Sequence, residues 1–174
     1  FPLGDVPDYE PTPDKMLKAQ AERAGKSVEE LALDYMLADG GRGPGTAMLL
    51  FPFLNYANGS LDPSYEMMRH PNAVMGLSDG GAHMGTICDG SFPTTLLQHW
   101  TRDRTRGPKL DLPFVVRAQT AETAKAVGLR DRGLLRPGLK ADINVIDYDG
   151  LRLHAPEIRH DLPGGGRRLL QRAD

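Results

Sequence analysis

The stretch Asn72-Ala73-Val74-Met75-Gly76-Leu77-Ser78-Asp79-Gly80-Gly81-Ala82-His83 decides how this chain is read. Its first half is a short apolar run, which predicts a strand covered on both faces. Asp79 stands at the C-terminal end of that strand, and Gly80-Gly81 allow a tight backbone turn beside whatever the carboxylate touches. Upstream, Ala47-Met48-Leu49-Leu50-Phe51 is too short and too uniformly apolar for a surface helix and predicts a second buried strand. Between the two, Asp62-Pro63 opens a short helix that runs through Met67 and Met68. Strand, short helix, strand is a parallel crossover unit, so the expectation is an α/β fold.

Before this unit, Pro2, Pro7, Pro11 and Pro13 make the first dozen residues a loop. Thr12 and Pro13 then start a helix carrying Leu17 and Ala21, which Gly25 ends as a left-handed cap. Ser27 and Glu30 form a capping box for a second helix, expected to stop near Gly40-Gly41. After the unit, helices are expected from about Pro93 to Arg104 and from Pro113 to Val127, the latter breaking near Thr120 and ending at Gly128. From Gly133 the pattern changes to Leu134-Leu135, a turn at Arg136-Pro137-Gly138, and an alternating run Ala141 to Asp147 that predicts a strand with one wet face. A boundary near residue 129 therefore separates an α/β part, 1–128, from a small β part, 129–174. The glycines at 164 to 166 read as a loop.

A formal net charge of −2 over 174 residues selects neither nucleic acid nor a cationic partner. One cysteine, Cys88, makes no internal disulfide, and no apolar run has membrane length. A cytoplasmic protein is the expectation. The chain opens on Phe1 and closes on Leu169-Leu170 and a polar tail, and both ends read as cut from something longer.

Asp79 is the leading site candidate, because functional groups gather at the C-terminal ends of parallel strands; the alternative is an aspartate that caps its own turn. His83 reads as a ligand, a substrate contact or a packed histidine, with the last favoured because Gly80-Gly81 argue against a helix that would align it with Asp79. Asn55 and Asn58 follow the earlier strand and belong on the same rim, as substrate contacts or as turn residues. His70, His99, His154 and His160 form neither His-x-His nor His-Glu-x-x-His, so the ligands of a full zinc site are not visible. Cys88 reads as a small apolar filler. The glycine-rich run 40–45 lacks the lysine of a phosphate loop and reads as a flexible connection. Arg102, Arg104 and Arg106 follow a helix end, where positive charge suits the dipole.

Together, residues 70–80, Leu129 to Gly133, and Leu135 to Asp147 resemble the amidohydrolase superfamily, most closely its N-acyl-D-amino-acid deacylases. The segment Gly133-Leu134-Leu135-Arg136-Pro137-Gly138-Leu139-Lys140-Ala141-Asp142 is similar to the Gly-x-Leu-x-Pro-Gly-x-x-Ala-Asp element that leads those chains from barrel to sandwich; there Asp142 would be structural. The resemblance implies the C-terminal part of a (β/α)8 TIM-type barrel followed by part of a small β-sandwich. It implies that Asp79 carries out proton transfer and also touches a divalent metal, usually zinc. His83, Asn55 and Asn58, named above from their positions, are the candidate contacts to a small N-acyl substrate. The remaining metal donors would lie before Phe1, so this polypeptide alone is expected to be inactive. It would associate with the rest of a parent chain, or with itself, through open strand edges. A cyclic amide as substrate, as in dihydroorotases and hydantoinases, and a non-catalytic self-associating module are the competing readings.

Overall fold

The computed structural model describes residues 1–38, 43, 46–52, 54–76, 83–86 and 89–174. It is a mixed helix and strand chain in which helices lead.

Strand β1, Pro2–Leu3, pairs antiparallel with β2, Met48–Leu49. The pairing is extended where Phe1 and Leu50 exchange hydrogen bonds of 2.7 and 3.0 Å. The proline-rich start is thus irregular apart from one short strand that closes on residue 49. A single 3-10 turn, Pro13–Lys15, precedes helix α1, Leu17–Ala24, so Thr12 opens the turn and makes no side-chain cap. Gly25 takes φ 64° and Lys26 N–H bonds Ala21 O at 3.0 Å, the left-handed ending expected there. In α2, Val28–Leu37, Ser27 Oγ accepts from the Glu30 amide at 3.1 Å and Glu30 Oε2 from the Ser27 amide at 2.9 Å, which completes the capping box. The helix stops at Ala38.

Helix α3 is Asp62–Arg69, and α4, Phe92–Gln98, runs on into a π turn, His99–Asp103. Helix α5, Leu112–Arg117, continues through a second π turn, Ala118–Glu122, into α6, Thr123–Ala126. The break expected near Thr120 is this π turn: the Thr120 hydroxyl donates to Val116 O at 2.7 Å, and Gly133, at φ 89°, packs against it. Leu96, Trp100, Leu110 and Val115 form the core, with Leu61, Tyr65, Met68, Met75, Phe92, Leu97 and Phe114 around them.

The parallel crossover does not form among the described residues. Met48–Leu49 is paired antiparallel to the chain's start, and 72–76 carries no strand, with Asn72, Ala73 and Val74 exposed. Ala73 and Val74, which suggested a covered strand, have nothing laid over them, while Met75 packs against the helical core. The same physical reason overturns the strand at 141–147: every residue there is exposed, Val145 at 97%, and none is paired. Alternation needs an adjacent strand and a layer beneath it before it becomes a sheet. The turn before it does form, with Gly138 at φ 89° and the Leu139 amide on Arg136 O at 3.1 Å.

Strands β3, Glu157–Leu162, and β4, Gly166–Leu170, make an antiparallel hairpin that the sequence reading did not single out. The glycines at 164–166 are its turn and the start of its second strand. Gln171 ties the hairpin down, its Nε2 donating to Tyr9 Oη at 2.6 Å and His154 O at 2.9 Å. No helix of the described residues is long and apolar enough to cross a membrane.

Candidate functional site

Three segments far apart in sequence converge on one guanidinium. Arg104, 1% exposed, leaves the π turn that ends α4 and lies over the Trp100 ring at 4.8 Å. It donates to both oxygens of Glu10 at 3.0 Å, to Asp62 Oδ1 at 2.7 Å and to Pro108 O at 2.8 Å. Glu10 is 3% exposed and also accepts the Leu61 amide at 3.0 Å. A buried charge this well paired is tolerable; either partner alone would not be. Burial opposes ionisation of Glu10, but the Arg104 hydrogen bonds, the Leu61 amide and the neighbouring charge outweigh it and hold its carboxyl below the ordinary range. Gly107 makes room: a Cβ there would meet Arg104 Nη2 and Asp62 Oδ1 at 2.5 Å.

His99 completes the cluster. Its Nε2 is 3.6 Å from Glu10 Oε2, beyond a hydrogen bond, and is buried without a partner. Burial pushes its pKa down, more than the Glu10 carboxylate pulls it up, so the neutral ring is favoured.

Arg106, two residues on, clamps a wall. It donates to Glu10 O at 2.7 Å, Pro11 O at 3.0 Å, Tyr56 Oη at 3.0 Å and Gly59 O at 2.9 Å, while Tyr56 Oη donates to Pro11 O. On the far side of that wall lies a pocket of about 570 Å³, mostly apolar, lined by Met16, Leu50, Phe51 and Tyr56 among others, with Asn58 and Lys18 as its polar members.

Asn58, at φ 54°, is therefore on the pocket. Asn55, at φ 62°, is exposed and off it, and its carbonyl accepts the Ser64 hydroxyl at 3.3 Å. His83, at φ 48°, sits in an exposed turn closed by the Thr86 amide on its carbonyl at 2.8 Å. It does not line the pocket. Asp79 and Cys88, and most of the glycine-rich run 40–45, lie outside the described residues. The arginines assigned to a helix dipole have specific partners instead. Arg102 bonds Leu151 O at 2.6 Å, Asp149 O at 3.1 Å and Tyr148 O, fastening 148–151 to the core.

No group of three His, Cys, Asp or Glu side chains that could hold a metal ion is present among the described residues. Within the cluster Glu10 and His99 could pair as donors, yet both carboxylate oxygens accept from Arg104, and a dication there would face the guanidinium. This cluster does not fit a metal ion. It is a positioning device, and the residues that form it were missed because nothing local marks a partner 94 residues away.

Comparison with curated proteins found no match, and comparison with solved structures found none either. A family model does match: it covers residues 14–167, well over half the chain, and on that match the protein belongs to the amidohydrolase family.

Proposed function

We propose that this protein is part of a hydrolase that cleaves a C–N amide bond and that its substrates are N-acyl-D-amino acids. The observation that carries the reading is the family match over residues 14–167. The Ser78-Asp79-Gly80 context and the Gly133-to-Asp142 element supply the finer likeness to the deacylases. In this reading the chain contributes strand and helix units to a (β/α)8 barrel and a segment to a β-sandwich. The apolar side chains left exposed at Val74, Ile143 and Val145 are what such unfinished layers would leave.

Asp79 takes the proton from the attacking water and returns it to the departing amine, two steps one carboxylate can perform in turn. The family generally uses divalent metals, which polarise the carbonyl and acidify water when bound, and zinc is the ion proposed. The described residues do not fit that ion.

The test is amine release from N-acetyl-D-leucine, N-acetyl-L-leucine and a hydantoin by the gene-encoded polypeptide that contains this sequence. Hydrolysis of the D-substrate is expected, with Asp79→Asn lowering kcat by about 10²–10⁴. Undiminished turnover in Asp79→Asn removes the general-base assignment, and hydrolysis of the hydantoin alone moves the protein to the cyclic amides.

The exposed apolar run around Val145 favours a second reading, a non-catalytic module that self-associates. A stable oligomer with no amidase activity in any metal-supplied preparation would support it.

A further inference from the structure

The pocket beside Tyr56 has the size and lining of a small-molecule site, about 300–1,000 Å³ and mainly apolar with few polar groups. Pro11, Pro13 and Pro52 stand in its walls, and proline fixes the backbone it occupies. Arg106 ties Pro11, Tyr56 and Gly59 together from behind, so the wall is held before any ligand arrives. Preorganisation of this kind lowers the ordering cost of binding.

Charge narrows the occupant. Lys18 lies on the lining, is exposed, and has no hydrogen bond or ion pair among the described residues. Other lysines near α1 are already paired, Lys15 with Asp8 at 2.8 Å and Lys26 with Asp34 at 2.6 Å. An apolar cavity with one free ammonium suits an aliphatic chain that bears a carboxylate.

We propose that this pocket binds the acyl chain of a long-chain N-acyl amino acid, with the carboxylate at Lys18. The choice of an N-acyl amino acid over another aliphatic carboxylate rests on the hydrolase reading; the pocket and its charge do not. The inference makes acyl length a specificity determinant read by residues of 11–59.

The experiment is calorimetric binding to this chain, which needs no turnover. N-octanoyl-D-leucine is compared with N-acetyl-D-leucine and with uncharged octanamide, for the parent, Phe51→Asp and Lys18→Glu, with a thermal melt for each. The octanoyl compound is expected to bind at least about tenfold tighter than the acetyl one. Phe51→Asp should remove that preference. Lys18→Glu should weaken the octanoyl amino acid about three- to fivefold and leave octanamide unchanged. Both positions are exposed, so melts close to that of the parent are expected; should Phe51→Asp disturb folding, Lys18→Glu and the two-ligand comparison still decide. Equal affinity for the octanoyl and acetyl compounds overturns the site, and an equal loss of octanamide binding in Lys18→Glu overturns the carboxylate seat. Chain-length preference without amide hydrolysis by the full polypeptide would sink the hydrolase reading and keep the pocket; hydrolysis without the preference would do the reverse.

Discussion

Two regions invert the usual arrangement of charge and hydrophobe. Around Arg104 a carboxylate and a guanidinium lie inside, 3% and 1% exposed, while in 134–146 Leu135, Ile143 and Val145 lie outside at 77, 62 and 97%. The first region is finished within this chain: both Glu10 oxygens and the guanidinium have partners. The second is unfinished, since an alternating run buries one face only when another strand lies beside it. Charge can be satisfied by a few well-aimed donors, whereas a sheet needs whole neighbouring elements.

The sharpest way to break this comparison is to remove half of the buried pair. Glu10→Ala leaves Arg104 with Asp62 and one carbonyl, and also strips the Leu61 amide of its acceptor. A loss of about 3–5 kcal/mol in urea unfolding is expected. The double variant Glu10→Leu with Arg104→Met should recover much of it, because an apolar pair of similar volume carries no stranded charge. If Glu10→Ala costs as little as a surface change, the cluster does not fasten these segments together.

A smaller effect should follow from Gly107→Ala. The added Cβ would meet Arg104 Nη2 and Asp62 Oδ1 at 2.5 Å, so the guanidinium or the carboxylate must move. Overpacking of this kind costs about 1–3 kcal/mol, read as a fall in Tm. Gly90→Ala, where φ is not positive and nothing lies within 4 Å of the new Cβ, serves as its control.

Acid sharpens the same contrast by sign. The half-buried His99 ring has a depressed pKa, so as pH falls the unfolded chain, with its histidine near about 6.5, takes the proton first. Stability should therefore begin to decline below about pH 6.5 and level off once the folded ring also protonates. The groups facing this ring are Glu10, Arg104, Asp8 and Asp103. The Glu10 carboxyl, also depressed, adds a second decline as pH drops below about 4.3, the unfolded value, through its folded one. His99→Phe should abolish the first decline and keep the second. Urea midpoints across that range measure both, and an unchanged profile in His99→Phe would show that the ring is not the titrating group.

What could be read from the sequence is what is local. The Ser27–Glu30 box, the Gly25 cap, the turn at 136–139 and the helices after Pro93 and Pro113 depend on residues within four or five positions of one another. The motif at 133–142 carried the family, and the family match agrees with it. Tertiary partnership was not legible. Nothing about Glu10 predicts Arg104, and nothing in Ala141 to Asp147 tells whether a neighbouring strand is present. The hairpin at 157–170 escaped because its few apolar residues, Ile158, Leu162, Leu169 and Leu170, do not alternate regularly and are interrupted by charged ones such as the Arg168–Asp161 pair at 2.8 Å. For the candidate site, Asn58 was named from its place after an expected strand, with turn chemistry as the alternative, and the pocket it lines was not named, because that pocket joins residues near 11–18 to others near 50–59.

The gentlest change tests the unfinished region. Val145→Lys replaces a side chain that is 97% exposed, so the folding stability of this chain should shift by no more than about 0.5 kcal/mol. Its effect should appear instead in association. A lysine on an unpaired apolar run opposes edge-to-edge pairing, so sedimentation should show less self-association than the parent at equal concentration, with Ile143→Lys acting in the same direction. The two readouts separate the two regions: a change at Glu10 acts on unfolding within one chain, and a change at Val145 acts between chains. A Val145→Lys variant that unfolds easily would mean that this run is already packed in solution, and the contrast between a closed half and an open half would fail at its open end.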